Sequence, residues 1–202
     1  MSRKSNIFEK IKFRFDIFLE KLNGTDLLSV IDPKNLGLDE KLVSKGSGSG
    51  GYHLNKVLEN LNITKKDRIL DIGCSKGSAI KSMLNFPFNQ IAGIEISKHL
   101  TDVAKKNFKV LKVNNIKIIN INAEKFKFYS NYNYFYMYNP FPNSVMKNVI
   151  KKILNQTPKN KTINLIYNNP VCSSIIKKNG FTQIKKYDGK WGNKIILFRK
   201  TK

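Results

Sequence analysis

The chain has 202 residues, 41% of them hydrophobic and 25% charged, which places it with ordinary globular proteins and excludes a disordered one. Thirty-seven basic side chains stand against 14 acidic ones, a net charge of +23. Two cysteines far apart, Cys74 and Cys172, suggest neither a disulfide framework nor a zinc site. No apolar run approaches the roughly 18 residues that span a bilayer, and the N-terminal MSRKSNIFEKIKF does not read as a secretory signal. A reduced, cytoplasmic protein is expected.

The basic excess has two readings. A polyanionic partner such as nucleic acid is one. However, the cations are 33 Lys and four Arg, whereas phosphate recognition favours the planar fork of Arg. Asn and Ile, at 25 and 24 residues, share A/T-rich codons with Lys, so nucleotide composition accounts for the excess at least as well. The charge is uneven: residues 1–51 hold nine basic and seven acidic side chains, leaving +21 on the remainder.

Residues 5–22 have the apolar spacing of an amphipathic helix, with Ile7, Phe8, Ile11, Phe15, Phe18, Leu19 and Leu22 in register. Asn23-Gly24 ends it. A basic amphipathic helix can lie on a membrane, but the apolar face of this one is expected to pack on the neighbouring domain. The run Ser44–Gly51 alternates Gly and Ser and reads as a flexible loop. Residues 1–51 therefore form an N-terminal helical extension with a Gly/Ser-rich loop, and 52–202 form the main domain. In that domain a helix near 53–61 precedes a strand at 68–72. Helix 77–85, strand 90–95, helix 98–109 and strand 116–121 follow. Strand 134–138, helix 144–155, strand 162–167 and helix 171–178 come next, and strands 181–187 and 194–198 close the chain as a hairpin. This alternation predicts a doubly wound α/β fold with a mostly parallel seven-stranded sheet and an antiparallel C-terminal hairpin at its edge.

Such sheets bind ligands beyond the carboxyl ends of their strands. The first strand ends in Asp71-Ile72-Gly73-Cys74-Ser75-Lys76-Gly77. There Gly73 permits a tight turn with close backbone approach, and Gly77 permits packing at a helix start. The second strand ends in Glu95, 24 positions after Asp71, where a carboxylate can accept from both hydroxyls of a ribose.

These residues resemble the class I S-adenosylmethionine-dependent methyltransferases. The segment Asp71–Gly77 looks like their first motif, and Glu95 matches their second-strand acid. Asn122-Ala123-Glu124 resembles the segment that meets adenine, and Tyr138-Asn139-Pro140-Phe141-Pro142 resembles the fourth motif, which faces the transferred methyl. Small bacterial methyltransferase-domain proteins with an Asn-Pro-Phe motif are similar over about residues 50–199. Ser75 departs from a common second Gly, and Asn122 from the usual Asp. The resemblance implies S-adenosyl-L-methionine as cofactor, held by Tyr52, Asp71, Gly73, Cys74, Gly77, Glu95, Ile96, Asn122, Ala123, Glu124 and Asn139. It assigns the transfer to Asn139, Pro140 and Phe141, with no metal. Asn139 and the Pro140 carbonyl would accept from a target amine, and Phe141 would stack on it. An N or O acceptor in a small molecule or surface-polysaccharide precursor is placed first, RNA or DNA second, and a non-catalytic binding module of the same fold third. Tyr132, Tyr134, Tyr136 and Tyr138 alternate as a base-stacking platform would, but read better as core. His53 reads as a helix-start residue, and His99 falls on the following helix.

Overall fold

The computed structural model describes residues 7–31 and 48–201. Residues 44–47 of the Gly/Ser run, and the first residues of the expected N-terminal helix, lie outside these. Helix α1 is Ile7–Leu22, α2 Tyr52–Glu59, α3 Ser78–Met83, α4 Lys98–Val110, α5 Asn143–Gln156 and α6 Ser173–Lys178. The strands are β1 Arg68–Ile72, β2 Gln90–Glu95, β3 Ile116–Asn120, β4 Tyr134–Tyr138, β5 Thr162–Asn168, β6 Thr182–Asp188 and β7 Lys194–Thr201.

The strands form one sheet in the order β3-β2-β1-β4-β5-β7-β6. Strands β1 to β5 pair in parallel, and β7 runs antiparallel to both β5 and β6. The hairpin thus refines the expectation. Its second strand is inserted one position in from the edge, and β6, at the edge, runs in the same sense as the first five. The exposed β6 carries Lys185 and Lys186 beside a register shift, features that discourage further strand pairing.

Period-2 alternation divides the core. On one face Ile69, Ile91, Tyr134, Tyr136 and Ile166 pack with Leu54 and Leu58 of α2, Ile80 and Met83 of α3, and Phe108 of α4. On the other, Leu70, Ile72, Phe135 and Met137 pack with Val149 and Ile153 of α5 and Ile176 of α6. Tyr132, Tyr134 and Tyr136 are buried, and Tyr138 is half-buried, so the alternating tyrosines are core rather than a platform.

Helix α1 departs from expectation. Phe13 and Ile17 are half-buried, but Ile11, Phe15, Phe18 and Leu22 are 56–68% exposed. The inward face is instead mixed: Phe13 meets Trp191 edge-on at 5.8 Å. Glu20 accepts from the N–H groups of Leu27 and Leu28 at 3.0 and 2.9 Å. The helix stops at Gly24 (φ 73°), where Thr25 N donates to the Glu20 carbonyl and Gly24 N to that of Lys21, a left-handed Schellman ending.

Past this turn the extension is tied to the loop after β1. The buried Lys76 ammonium pairs with Asp26 Oδ1 at 2.6 Å. Asn107 of α4 accepts from Asp26 N and donates to the carbonyls of Asp26 and Lys76. Burial opposes the Asp26 charge, but hydrogen bonds and charge from Lys76, with Ser29, outweigh it and hold the carboxyl below its ordinary value. Gly77 closes the loop at φ 91°, and a Cβ added there would fall 2.5 Å from the Phe108 ring. Gly77→Ala combines left-handed strain with overpacking, so urea denaturation should register a loss of about 2–4 kcal/mol. A loss under about 1 kcal/mol would contradict this close approach.

Candidate functional site

Strand order reverses between β1 and β4, and the two turns that leave these strands face one another. Gly73 (φ 78°) follows β1, and a Cβ built on it would sit 2.8 Å from Pro140 Cβ in the turn after β4. Gly73 N and Cys74 N both donate to the Ile94 carbonyl, at 2.9 and 3.1 Å, which binds the first turn to the end of β2. Ser75 takes φ 48°. The departure from a second Gly therefore falls at a left-handed position that L-residues adopt at a cost of about 1 kcal/mol.

Glu95 ties the turn after β1 to the turn after β2. Its Oε2 accepts from Ser75 N at 3.0 Å and its Oε1 from Ser97 N at 2.9 Å. Burial raises its carboxyl above the usual range, against the opposing pull of the Ser97, Ser75 and Ile96 amides. Asn120, at the tip of β3, donates to the carbonyls of Glu95 and Ile96 at 2.9 and 2.8 Å. Asn122 Oδ1 caps the next short turn by accepting from Glu124 N at 2.7 Å. Ala123 is buried there, its carbonyl accepting from Tyr129 Oη at 2.8 Å, and Glu124 Oε1 accepts from Asn148 of α5 at 2.7 Å.

A buried polar row crosses the sheet on its α2/α3 face. Asp71 on β1 is level with Tyr136 on β4. Asn168 on β5 donates to Tyr136 Oη at 3.0 Å, and Tyr136 Oη donates to the Ser49 carbonyl at 3.2 Å. Gly50 N and Gly51 N meet the hydroxyls of Ser78 and Ser82 at 3.2 and 2.7 Å, so the described end of the Gly/Ser run is docked on α3. Two acceptors in this row, Asp71 Oδ2 and Asn168 Oδ1, are buried without a partner among the described residues. Burial first, and then the neighbouring Glu95 charge, pushes the Asp71 carboxyl well above its ordinary value. Asn168 carried no sequence motif. Its only signal was a second amide, after Asn164, in the strand TINLIYN.

The β4 turn is held from beneath. Asn139 sits at φ 36°, with its N–H on the Asn168 carbonyl at 3.1 Å. Tyr167 Oη donates to Asn139 Oδ1 at 3.3 Å and accepts from Cys172 N at 3.2 Å. Tyr167 thus fixes the amide of the candidate catalytic residue, a role sequence spacing did not indicate. Phe141 is half-buried against the core on the α5 face.

Most of the anticipated residues therefore gather at the carboxyl edge of the sheet, but not all offer side chains there. The Cys74 thiol is turned into the core, over the space that a Gly93 Cβ would fill at 2.6 Å, and burial pushes it well above the usual thiol range. Tyr52 is set in different surroundings. It is exposed at the start of α2 with Lys56 Nζ 4.5 Å above its ring. It lines a cleft of about 530 Å³ beneath α1 with Phe13, His53, Lys81, Lys190 and Trp191. His53 Nδ1 lies 3.1 Å from the Asp188 carbonyl, and His99 is exposed on α4.

The strand order, the glycine turn after β1 and the acid ending β2 define a class I S-adenosylmethionine-dependent methyltransferase fold. A solved S-adenosylmethionine-dependent methyltransferase from Aquifex aeolicus superposes at TM-score 0.60, with 12% identity, over 84% of this chain and 98% of its own. Residues 51–186 match the family described as ribosomal RNA adenine dimethylase, and the chain belongs to that family. Curated relatives include rRNA adenine N-6-methyltransferases of Lysinibacillus sphaericus, 30% identical over 103 residues, and Limosilactobacillus reuteri, 29% identical over 103 residues. Each match covers 51% of this chain and 41% of the relative, so the chain spans about two-fifths of those proteins.

The raised Asp71 carboxyl has a signed consequence for stability. Because its folded pKa lies above the unfolded value, near 3.9, ionisation is disfavoured in the fold, and stability falls as pH climbs from about 4 through the raised value. Ligand-free Asp71→Asn should melt above the wild type at pH 7, with the gap closing toward pH 4. A variant melting below the wild type at neutral pH would contradict the assignment.

Proposed function

We propose that the chain is a methyltransferase that uses S-adenosylmethionine to methylate adenine N6 in ribosomal RNA. The observation that carries the reading is the seating of the Asn139-Pro140 turn against Gly73 at the point where strand order reverses. Family membership and the relatives' names support rRNA over the small-molecule acceptor that the sequence placed first, and the +23 charge suits a polyanion.

The residues present fit the cofactor. The two partnerless acceptors, Asp71 Oδ2 and Asn168 Oδ1, are suited to a ligand ammonium, since a buried acceptor without a donor is costly until a ligand supplies one. Glu95 would exchange part of its amide bonding for ribose hydroxyls. Ile96 would give apolar contact to adenine, and Asn122, with its Oδ1 already accepting from Glu124 N, would turn its Nδ2 to a ring nitrogen. Gly73 keeps the first turn free of a side chain beside this space, while Gly77 leaves room for the Phe108 ring behind it. Cys74 contributes backbone only, while Ala123 and Glu124 hold the Asn122 turn.

When bound, S-adenosylmethionine supplies a methyl group on a positively charged sulfonium, already activated for transfer. The chain's own residues align the acceptor and exclude water. Asn139 Oδ1, oriented by Tyr167, and the Pro140 carbonyl accept from an exocyclic amine and so aim its lone pair. Phe141, anchored in the core by part of its ring, presents the remainder to the flat face of a base.

Glu95→Ala should weaken cofactor binding by about 1–3 kcal/mol in calorimetry through loss of charge-assisted hydrogen bonds. Asn139→Ala should leave that affinity within twofold while slowing methylation of an rRNA transcript roughly 10²-fold, measured as N6-methyladenosine by mass spectrometry. Equal loss of both in Asn139→Ala would move the residue to the cofactor. Failure of the wild type to bind either the cofactor or its demethylated product at millimolar concentration would favour a non-catalytic module.

A further inference from the structure

Helix α1 displays an apolar stripe that nothing among the described residues covers. Ile11, Phe15, Phe18 and Leu22 recur at spacings of four, three and four and are 56–68% exposed, with Leu19 beside them at 40%. Over these eleven steps the stripe is about 16 Å long. Soluble surfaces rarely leave such a patch open without a partner.

The charges around the stripe are sorted. Arg14 and Lys21, seven residues apart, border one side, and Lys12 borders the other; all three are exposed. The acids of the same segment, Asp16 and Glu20, lie on the opposite, half-buried face, where Glu20 is engaged with the Leu27 and Leu28 amides. Seen from solvent, residues 11–22 of α1 form a band of Phe, Leu and Ile with a cationic rim and, among the described side chains, no acid beside it.

We propose that this face of α1 docks on an anionic lipid bilayer surface, lying in the plane of the interface rather than crossing it. An amphipathic helix with a rim of Lys and Arg binds in this way, its apolar side chains entering the headgroup boundary and its cations meeting acidic headgroups. Charge decides against the other occupants. A second copy would bring one cationic rim against another on chains that each carry +23. An RNA surface would satisfy the rim but leave the aliphatic Ile11, Leu19 and Leu22 against a strongly hydrated polyanion. No helix among the described residues is long and apolar enough to cross a membrane, so the contact is peripheral. The inference stands on α1 alone and does not depend on the methyl acceptor.

The test is co-sedimentation of the purified chain with vesicles of phosphatidylglycerol and phosphatidylcholine, or of phosphatidylcholine alone, in 0.1 M salt. The wild type should partition to the anionic vesicles at least tenfold better than to the neutral ones. The double variant Phe15→Glu, Phe18→Glu should lose at least tenfold of that partition, with its melting temperature and cofactor affinity unchanged because both rings face solvent. Equal partition of wild type and variant would reduce the effect to net charge and overturn the proposal, as would no binding to anionic vesicles. A dimer in light scattering that the variant abolishes would assign the face to self-association instead. Loss of rRNA-transcript binding in the variant, without vesicle binding by the wild type, would assign it to RNA. Methylation of an rRNA transcript is read separately, so failure here leaves the proposed function standing.

Discussion

The close approach of two turns, Gly73 beneath Pro140, is the constraint on which the rest of the structure depends. Parallel β1 and β4 are neighbours, but their helical crossovers cover opposite faces, so their exits diverge and open a crevice at the carboxyl edge. The turns can meet there only if one lacks a side chain at the contact. Gly73 meets that need at a left-handed φ, and Glu95 then clamps the same turn through Ser75 N. The Asn139 amide is held from below by Tyr167 Oη, so both walls of the crevice are fixed before any ligand arrives.

This arrangement sets stability against readiness to bind. Asp71 and Asn168 each bury an acceptor without a partner among the described residues, and Asp71 and Glu95 both have raised carboxyls. The surrounding core compensates with large buried side chains such as Tyr136, Tyr167, Phe135 and Phe198. The Lys76–Asp26 pair serves a different purpose. It fastens the segment after α1 to the β1 loop, so the N-terminal extension is coupled to the candidate cofactor turn rather than tethered loosely beside it.

The strands and the glycine turn were legible because their signals are local: apolar runs, punctuating Gly, and acids at strand ends. Asp71, Gly73, Gly77, Glu95 and Asn139 stand where the motif order placed them. Other features depended on partners distant in sequence. Asn168 and Tyr167 act through residues 28 to 32 positions away, and Lys76 is buried by Asp26, 50 positions earlier. Helix α1 was misread because periodicity identifies an apolar face without saying what it meets. Tyr52 stands apart because it opens α2 and faces the cleft beneath α1 rather than the strand tips. A small-molecule acceptor came first in the sequence reading because lysine enrichment has a compositional explanation as well as a functional one.

The central claim is that an adenosyl ligand sits across the tips of β1 and β2 with its sulfur toward the Asn139-Pro140 turn. A crystal structure with S-adenosylhomocysteine tests it most directly. The account predicts ribose hydroxyls on Glu95, the amino group beside Asp71 and Asn168, and the sulfur facing Asn139. Density in the cleft beneath α1, between Phe13 and Trp191, with the strand tips empty, would contradict it.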